Sequence, residues 1–210
     1  MIAIVDYGMG NLRSVSKAFQ SQGITAAVTR DAYAISTASG LVLPGVGAFG
    51  DCVENLLDYG LTQPITDYLN SGKPFLGICL GLQVLFEESE ESPGIGGLGH
   101  FKGKVPRFPD FKEERLKVPH MGWNNVRIKK DIPILQGIPD NSWFYFVHSY
   151  YVKPDDDSLS VVKTNYGIEF TAAVQKGNVF ACQFHPEKSS TLGLRIISNF
   201  ASICGEKIRA

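Results

Sequence analysis

Four apolar runs alternate with helical patterns between residues 2 and 89, and this alternation constrains the fold more than any other feature of the chain. The runs are IAIVDY (2–7), ITAAVT (24–29), GLVLPGVGAFG (40–50) and PFLGIC (74–79). Each is apolar nearly throughout rather than at every second residue, so each strand must be buried on both faces. The stretches between them carry the helical period. In LRSVSKAFQSQG, Leu12, Val15, Ala18 and Phe19 share a face and Gly23 supplies the stop. DCVENLLDYGLTQPITDYLNSG (51–72) reads as helix, break and helix, and LGLQVLFEES (80–89) as a helix. Such alternation predicts a parallel sheet with helices on both faces.

The pattern changes after residue 92. SPGIGGLG is a loop, and the stretch to about residue 130, rich in Pro, Gly and charge, predicts a few antiparallel strands. WFYFVHSYYV (143–152), LSVVKTN (159–165), FTAAVQKG (170–177) and NVFACQFH (178–185) are strand-like, and SSTLGLRIISNFASIC (189–204) is a closing helix. The expected fold is α/β: one open, mostly parallel sheet with helices on both faces and antiparallel additions in the second half. With 210 residues, 44% of them hydrophobic, one domain spanning residues 1–210 is expected.

Charge and composition exclude several classes of function. The net charge is -1 and no stretch concentrates Lys and Arg, which argues against a nucleic-acid partner. No run of about eighteen apolar residues indicates a membrane span. The start, MIAIVDYGMGN, lacks the basic residues and cleavage site of a signal peptide and reads as the first core strand. The four cysteines, Cys52, Cys79, Cys182 and Cys204, form no C-x-x-C pair and suggest no disulfide framework, so a cytoplasmic location is expected.

Cys79 stands apart from the other three. It sits in G-x-C-x-G, where a strand pattern ends and a helical one begins. The serine form of this arrangement is a nucleophile elbow. A sharp turn exposes the side chain at the carboxyl end of the sheet, and Gly77 and Gly81 leave room for close neighbours. The helix opening at Leu80 directs its free N–H groups at the site, which favours a thiolate and offers a donor to an oxyanion. Cys52 and Cys204 fall in helical patterns and Cys182 in a strand, where packing explains them.

A thiolate nucleophile needs a base, and the base an orienting partner. QFHPEKS (183–189) supplies His185 and Glu187 on either side of Pro186. Pro186 is expected to prevent a helical continuation, and extended residues two apart point the same way. Among the other histidines, His100 lies in a glycine-rich loop, His120 in VPHMGW, and His148 in a strand near the expected site. No metal site is expected, because Cys182 and His185 would face opposite ways on a strand. GMGNLR places Arg13 where a dinucleotide fingerprint needs its third glycine, so no nucleotide cofactor is expected. PGVGAFG (44–50) can instead bring a backbone N–H from the Val46–Gly47 region to Cys79, completing an oxyanion hole with Leu80. Gln83 lies one helical turn after Cys79, on the same face.

LGICLGLQ, QFHPEKS and LPGVGAFG together resemble the class I glutamine amidotransferases, which carry a Cys–His–Glu triad. DYGMGN, PGVGAFG, FEESEES, PHMGWN and YFVHSYY narrow the resemblance to the glutaminase subunits of imidazole glycerol phosphate synthase, from residue 2 to about residue 200. Residues 102–117 match nothing diagnostic of that group.

The resemblance implies that Cys79 attacks the side-chain amide of glutamine while N–H groups near Gly47 and Leu80 take up the developing charge. His185, held by Glu187, protonates the leaving nitrogen and then activates water against the thioester. It implies substrate contacts from Gln83, Glu91 and the backbone of Ser149 and Tyr150, and no cofactor. It further implies a peptide near Val46–Gly47 that must flip before it can donate. Ammonia would pass to a separate cyclase subunit with a (β/α)8 barrel, bound as a heterodimer through Asn11, Trp123, Tyr145 and Lys188. There it would join a ribulosyl phosphoribosyl nucleotide intermediate, giving imidazole glycerol phosphate and aminoimidazole carboxamide ribotide in histidine biosynthesis. Two alternatives stay open: a glutaminase subunit serving another acceptor, and an inactive partner-binding member of the fold. A general thiol hydrolase fits the surroundings of Gln83 less well.

Overall fold

The structure, a computed structural model, describes residues 1–111 and 116–206. Part of the undiagnostic segment 102–117 and the last four residues of the expected domain lie outside the described residues. The first half runs β1 (Ile2–Val5), α1 (Leu12–Ser21), β2 (Ala26–Thr29), α2 (Ala32–Thr37), β3 (Gly40–Gly45), α3 (Phe49–Asp58), α4 (Thr62–Asn70), β4 (Phe75–Cys79) and α5 (Leu80–Gln83). The second half runs β5 (Glu88–Ser89), β6 (Gly103–Val105), β7 (His120–Asn125), β8 (Arg127–Ile128), β9 (Trp143–His148), β10 (Lys153–Pro154), β11 (Ser160–Tyr166), β12 (Ile168–Lys176), β13 (Val179–Cys182) and α6 (Ser190–Ile203).

The main sheet has the order β2-β1-β3-β4-β13-β12-β11-β8. Its strands are parallel from β2 to β13 and antiparallel beyond, as the two halves of the sequence predict. Strand β1 shows why its strands need no polar face. Ile2 and Ile4 join the core under α1 and α6, with Phe19 and Phe200. Ala3 and Val5 join the core under α2, α3 and α4, with Ile35, Leu56 and Ile65. Alternate side chains enter opposite cores, so an alternating polar pattern would bury unpaired polar groups.

Beside the sheet lie a ribbon of β7 with β9 and a small sheet of β10, β6 and β5. Within the latter, β6 pairs antiparallel with β10 and parallel with β5, a strand at the end of the segment expected to be helical. Among the described residues no helix is long and apolar enough to cross a membrane.

The expected helix over 80–89 stops at Gln83. The carbonyls that would have continued it bond instead to the loop that follows: Leu98 N–H donates to Val84 O at 2.7 Å, Phe101 N–H to Leu85 O at 2.9 Å and Gly99 N–H to Phe86 O at 3.4 Å. Leu82, Val84, Leu85 and Phe86 are all buried, so the segment has no solvent face for a longer helix to present. The sequence reading also passes over α2, a six-residue helix with only Ile35 buried, whose N-terminus is capped by Asp31 accepting from Ala34 N–H at 2.7 Å.

The elbow depends on close backbone approach. A Cβ on Gly81 would run into the Leu43 carbonyl of β3. Gly81→Ala is therefore expected to destabilise the chain by about 3 kcal/mol or more, because only backbone movement relieves the clash. A denaturant midpoint unchanged from wild type would refute this.

Candidate active site

Strand β4 ends at Cys79, whose backbone turns to φ 55°, ψ -109° before α5 begins. A non-glycine residue at positive φ costs about 1–3 kcal/mol and persists only where the surroundings enforce it. Here they do: β4 is held between β3 and β13, and Gly45 is the register partner of Cys79. The same register brings the end of β3, and with it Val46 and Gly47, beside the cysteine. Gly47 has φ 95°.

His185 follows β13 by three residues and is placed by three bonds. Its N–H donates to Tyr145 O at 2.9 Å, and its carbonyl accepts from Ser189 Oγ at 2.6 Å and from Lys188 N–H at 3.0 Å. Its Nδ1 lies 2.8 Å from Glu187 Oε1, with the two side chains only 2% and 1% exposed. The two side chains pair as the sequence suggests, but the local backbone differs from the extended form expected. Pro186 opens a 3-10 turn (Pro186–Lys188) rather than keeping the chain extended. Proline lacks the N–H that the first residue of a helical turn leaves unbonded, and its φ suits that position. The turn, not strand alternation, brings the carboxylate back to the imidazole.

Burial alone lowers the His185 pKa, but the Cys79 sulfur, through charge and hydrogen bonding, and then the Glu187 carboxylate outweigh it, and the value rises to about 10. Glu187 Oε1 accepts from Nδ1–H, which leaves Nε2 for the active centre. That atom is buried.

Cys79 and His185 line one cavity of about 270 Å³ together with Gly47, Leu80, Gln83, Glu91, Ser149 and Tyr150. The residues expected to contact substrate and oxyanion therefore line one cavity with Cys79, while Glu187 bonds His185 on its Nδ1 side. Val46, Pro119, Val147 and His148 complete the lining. Glu91 also holds the neighbouring helix. Its Oε2 accepts from Phe49 N–H at 2.8 Å, at the start of α3, and Ser92 Oγ accepts from Gly50 N–H at 2.9 Å. The helix that follows the glycine loop is thus anchored by the acidic residue of the pocket. Upstream, the loop is fixed by Tyr7, whose hydroxyl donates to Pro44 O at 2.9 Å.

Trp123 and Tyr145 are cross-strand partners on the β7–β9 ribbon, with ring centroids 6.4 Å apart. Lys188 Nζ lies 5.7 Å from the Tyr145 ring centroid, and that ring lies 6.4 Å from the His185 ring. Met121, Trp123 and Trp143 are at least half exposed on the ribbon. Asn11 caps α1, accepting from Ser14 N–H at 3.3 Å.

His100 lies away from this cavity, against Phe101 in a separate cleft. Cys52 and Cys182 are buried in packing positions, and burial pushes the Cys52 thiol up to about 12. Sequence reasoning assigned nothing to Gln183, which is fully buried with Nε2 at 3.6 Å from Cys79 Sγ. A long amide in the otherwise apolar run NVFACQF was the available signal.

Comparison with known proteins matches residues 3–204 to the glutamine amidotransferase class-I family. The chain is 53% identical to the imidazole glycerol phosphate synthase subunit HisH of Syntrophotalea carbinolica, over 97% of this chain and all of that one. It is 51% identical to the subunit of the same name from Methanocaldococcus jannaschii, with the same coverage of both. Solved structures share the fold at low identity. One is a glutamine amidotransferase, with TM-score 0.74 and 19% identity over 98% of this chain and 100% of that one. Another is PurLQS from Thermotoga maritima, with TM-score 0.72 and 17% identity over 96% of this chain and 97% of that one. The chain belongs to the class-I glutamine amidotransferases and, within them, to the HisH subunits of imidazole glycerol phosphate synthase.

Proposed function

We propose that this chain, working as one glutaminase unit in the cytoplasm, hydrolyses glutamine at Cys79 and hands the ammonia to a cyclase subunit with a (β/α)8 barrel. The observation that carries this reading is the convergence of Cys79, His185 and the glycine loop at Gly47 on one cavity, with Glu187 bonded behind the imidazole. The Cys79 thiolate attacks the side-chain amide carbon of glutamine, and the oxyanion faces N–H groups of the Gly47 region and Leu80. The His185 imidazolium gives its Nε2 proton to the leaving nitrogen, and ammonia departs. The neutral imidazole then takes a proton from water, which attacks the thioester and releases glutamate. Glu187 keeps the proton on Nδ1 throughout and stabilises the cation.

Gln83 has both amide hydrogens occupied, by Tyr150 O at 3.1 Å and Gln183 Oε1 at 3.0 Å. It therefore meets the substrate only through its carbonyl oxygen, which suits an N–H donor on glutamine. Glu91 suits the α-ammonium, and the Ser149–Tyr150 backbone the α-carboxylate region. The exposed face of the β7–β9 ribbon supports a partner there, because aromatic anchors beside a catalytic histidine favour a closed, dry route for ammonia. Trp123, Tyr145 and Lys188 would form that contact, with Asn11 at its margin.

The test is glutamate release with the cyclase and its nucleotide ligand present or absent. The expected result is an increase of about 100-fold or more when both are present, as the partner orders the oxyanion loop. A Cys79-dependent rate indifferent to the partner would assign the chain to another acceptor.

A further inference from the structure

We propose that Gln183 is a further catalytic residue, donating its side-chain N–H to the Cys79 sulfur from an orientation imposed by a polar chain rooted at the Tyr150 carbonyl. The inference rests on the reading of Cys79 as the nucleophile. Its basis is one question: which way the two buried amides, Gln83 and Gln183, must point.

Tyr150 O can only accept. Two groups reach it: Gln83 Nε2 at 3.1 Å and His148 Nδ1 at 2.7 Å. Each must therefore present a hydrogen. Gln83 can do so only with its nitrogen toward Tyr150. The same nitrogen lies 3.0 Å from the side chain of Gln183, which must answer with Oε1. The Gln183 nitrogen is then left facing Cys79 Sγ, at 3.6 Å. Turning Gln183 over would set two donors against each other at Gln83 and an oxygen against the thiolate. Turning both amides over would set an oxygen against the Tyr150 carbonyl. All alternatives lose at least one bond in a site where Gln83 is 4% exposed and Gln183 not at all.

The histidine arm has the same single polarity. With Nδ1–H on Tyr150, the Nε2 of His148 accepts from His120 Nδ1–H at 3.0 Å, and His120 Nε2 accepts from Asn124 Nδ2 at 3.2 Å. Both rings must stay neutral for this, and burial keeps them so, lowering His148 to about 3 and His120 to about 4. Asn124 is tied in turn to Asn165 O at 2.9 Å. The chain runs from the β7–β9 ribbon to the sulfur, and its direction is set by one carbonyl.

A hydrogen bond to a charged acceptor is stronger than one to a neutral acceptor, so a donor at this place favours the attacking form of the sulfur and fixes its position. Among the described residues, the other titratable groups around Cys79 are His185 with its partner Glu187, Tyr7 on the loop after β1, Cys182 on β13, and Glu91, His148 and Tyr150 of the same cavity. All are retained when Gln183 alone is changed.

The experiment compares wild type, Gln183→Met and Gln183→Glu in complex with the cyclase. It measures glutamate release and the pH profile of Cys79 alkylation by iodoacetamide, a small neutral reagent. Methionine keeps the volume and removes the donor. Glutamate keeps an acceptor for Gln83 and removes the N–H but adds a carboxyl beside the sulfur, so the methionine variant decides the midpoint and the glutamate variant is read for kcat. Both should lower kcat about tenfold to 100-fold with KM within about threefold, and raise the alkylation midpoint by about one pH unit or more. A folded variant with kcat and midpoint unchanged overturns the proposal. So does a fall in kcat with an unchanged midpoint, which marks a packing role. In wild-type protein labelled with ¹⁵N-glutamine, alkylating Cys79 should move the Gln183 side-chain amide signal, and an unmoved signal refutes the contact even where the variants fail to fold. If wild type releases no Cys79-dependent glutamate with the cyclase, the glutaminase reading fails, while alkylation and the amide signal still judge the contact.

Discussion

Cys79→Ala is expected to lower glutamate release by about 10,000-fold or more, because nothing else in the cavity can form the thioester. Gln83 and Glu91 in the cavity, and Gln183 against the sulfur, supply amides and a carboxylate, and the His185 imidazole is held by Glu187. The same position offers a second readout. Cys79 sits at φ 55°, where a side chain is strained and glycine is not. Cys79→Gly should be as inactive as Cys79→Ala yet more stable than it by about 1 kcal/mol. Urea midpoints of the two variants compare them directly. An alanine variant that still turns over glutamine would remove Cys79 from the mechanism. A glycine variant no more stable than alanine would remove strain from the elbow.

The second large effect is at Glu187. Glu187→Gln should reduce kcat by about 1,000-fold or more while leaving the fold intact, since glutamine keeps the shape but no longer fixes the tautomer or stabilises the cation. Its pH signature follows from the direction of the His185 shift. The sulfur and the carboxylate hold the imidazole proton up to about pH 10. Protonation of the leaving nitrogen needs that proton, so activity falls as pH rises through the His185 pKa. Without the carboxylate the pKa drops, and the alkaline limb should move to lower pH. Burial also makes the change costly to hide. The Glu187 side chain is 1% exposed, so bulk solvent does not screen the loss of its charge. A variant with wild-type kcat and an unshifted alkaline limb would reduce Glu187 to a packing residue.

Most of the turn that presents Cys79 was legible in the chain because it is local. Gly77, Cys79 and Gly81 lie within five residues, and they encode a strand end, a sharp turn and a close approach without reference to anything distant. The apolar runs of β1, β3 and β4 announced burial on both faces in the same way. His185 and Glu187 were legible as a pair, but not the geometry that joins them. Proline before a carboxylate suggests an extended chain, whereas backbone bonds close a 3-10 turn there, and the Ser189 hydroxyl ties that turn to the ribbon by donating to His185 O and, at 3.0 Å, accepting from Tyr145 N–H. The latter partner lies 44 residues away.

The alternation of β1, β2, β3 and β4 with α1, α3 and α4, the turn at Cys79 and the nearness of His185 to Glu187 could be read from the chain, because each follows from the period, polarity and backbone freedom of near neighbours. Where α5 stops depends on the fold, since the loop after it takes the carbonyls a longer helix would have used. Which atom of Gln183 faces the sulfur depends on the fold as well. An amide can point either way. The carbonyl that fixes its direction belongs to Tyr150, which bonds Gln83 across 67 residues of chain. Hydrogen-bond polarity is a property of partners, and here folding alone brings those partners together.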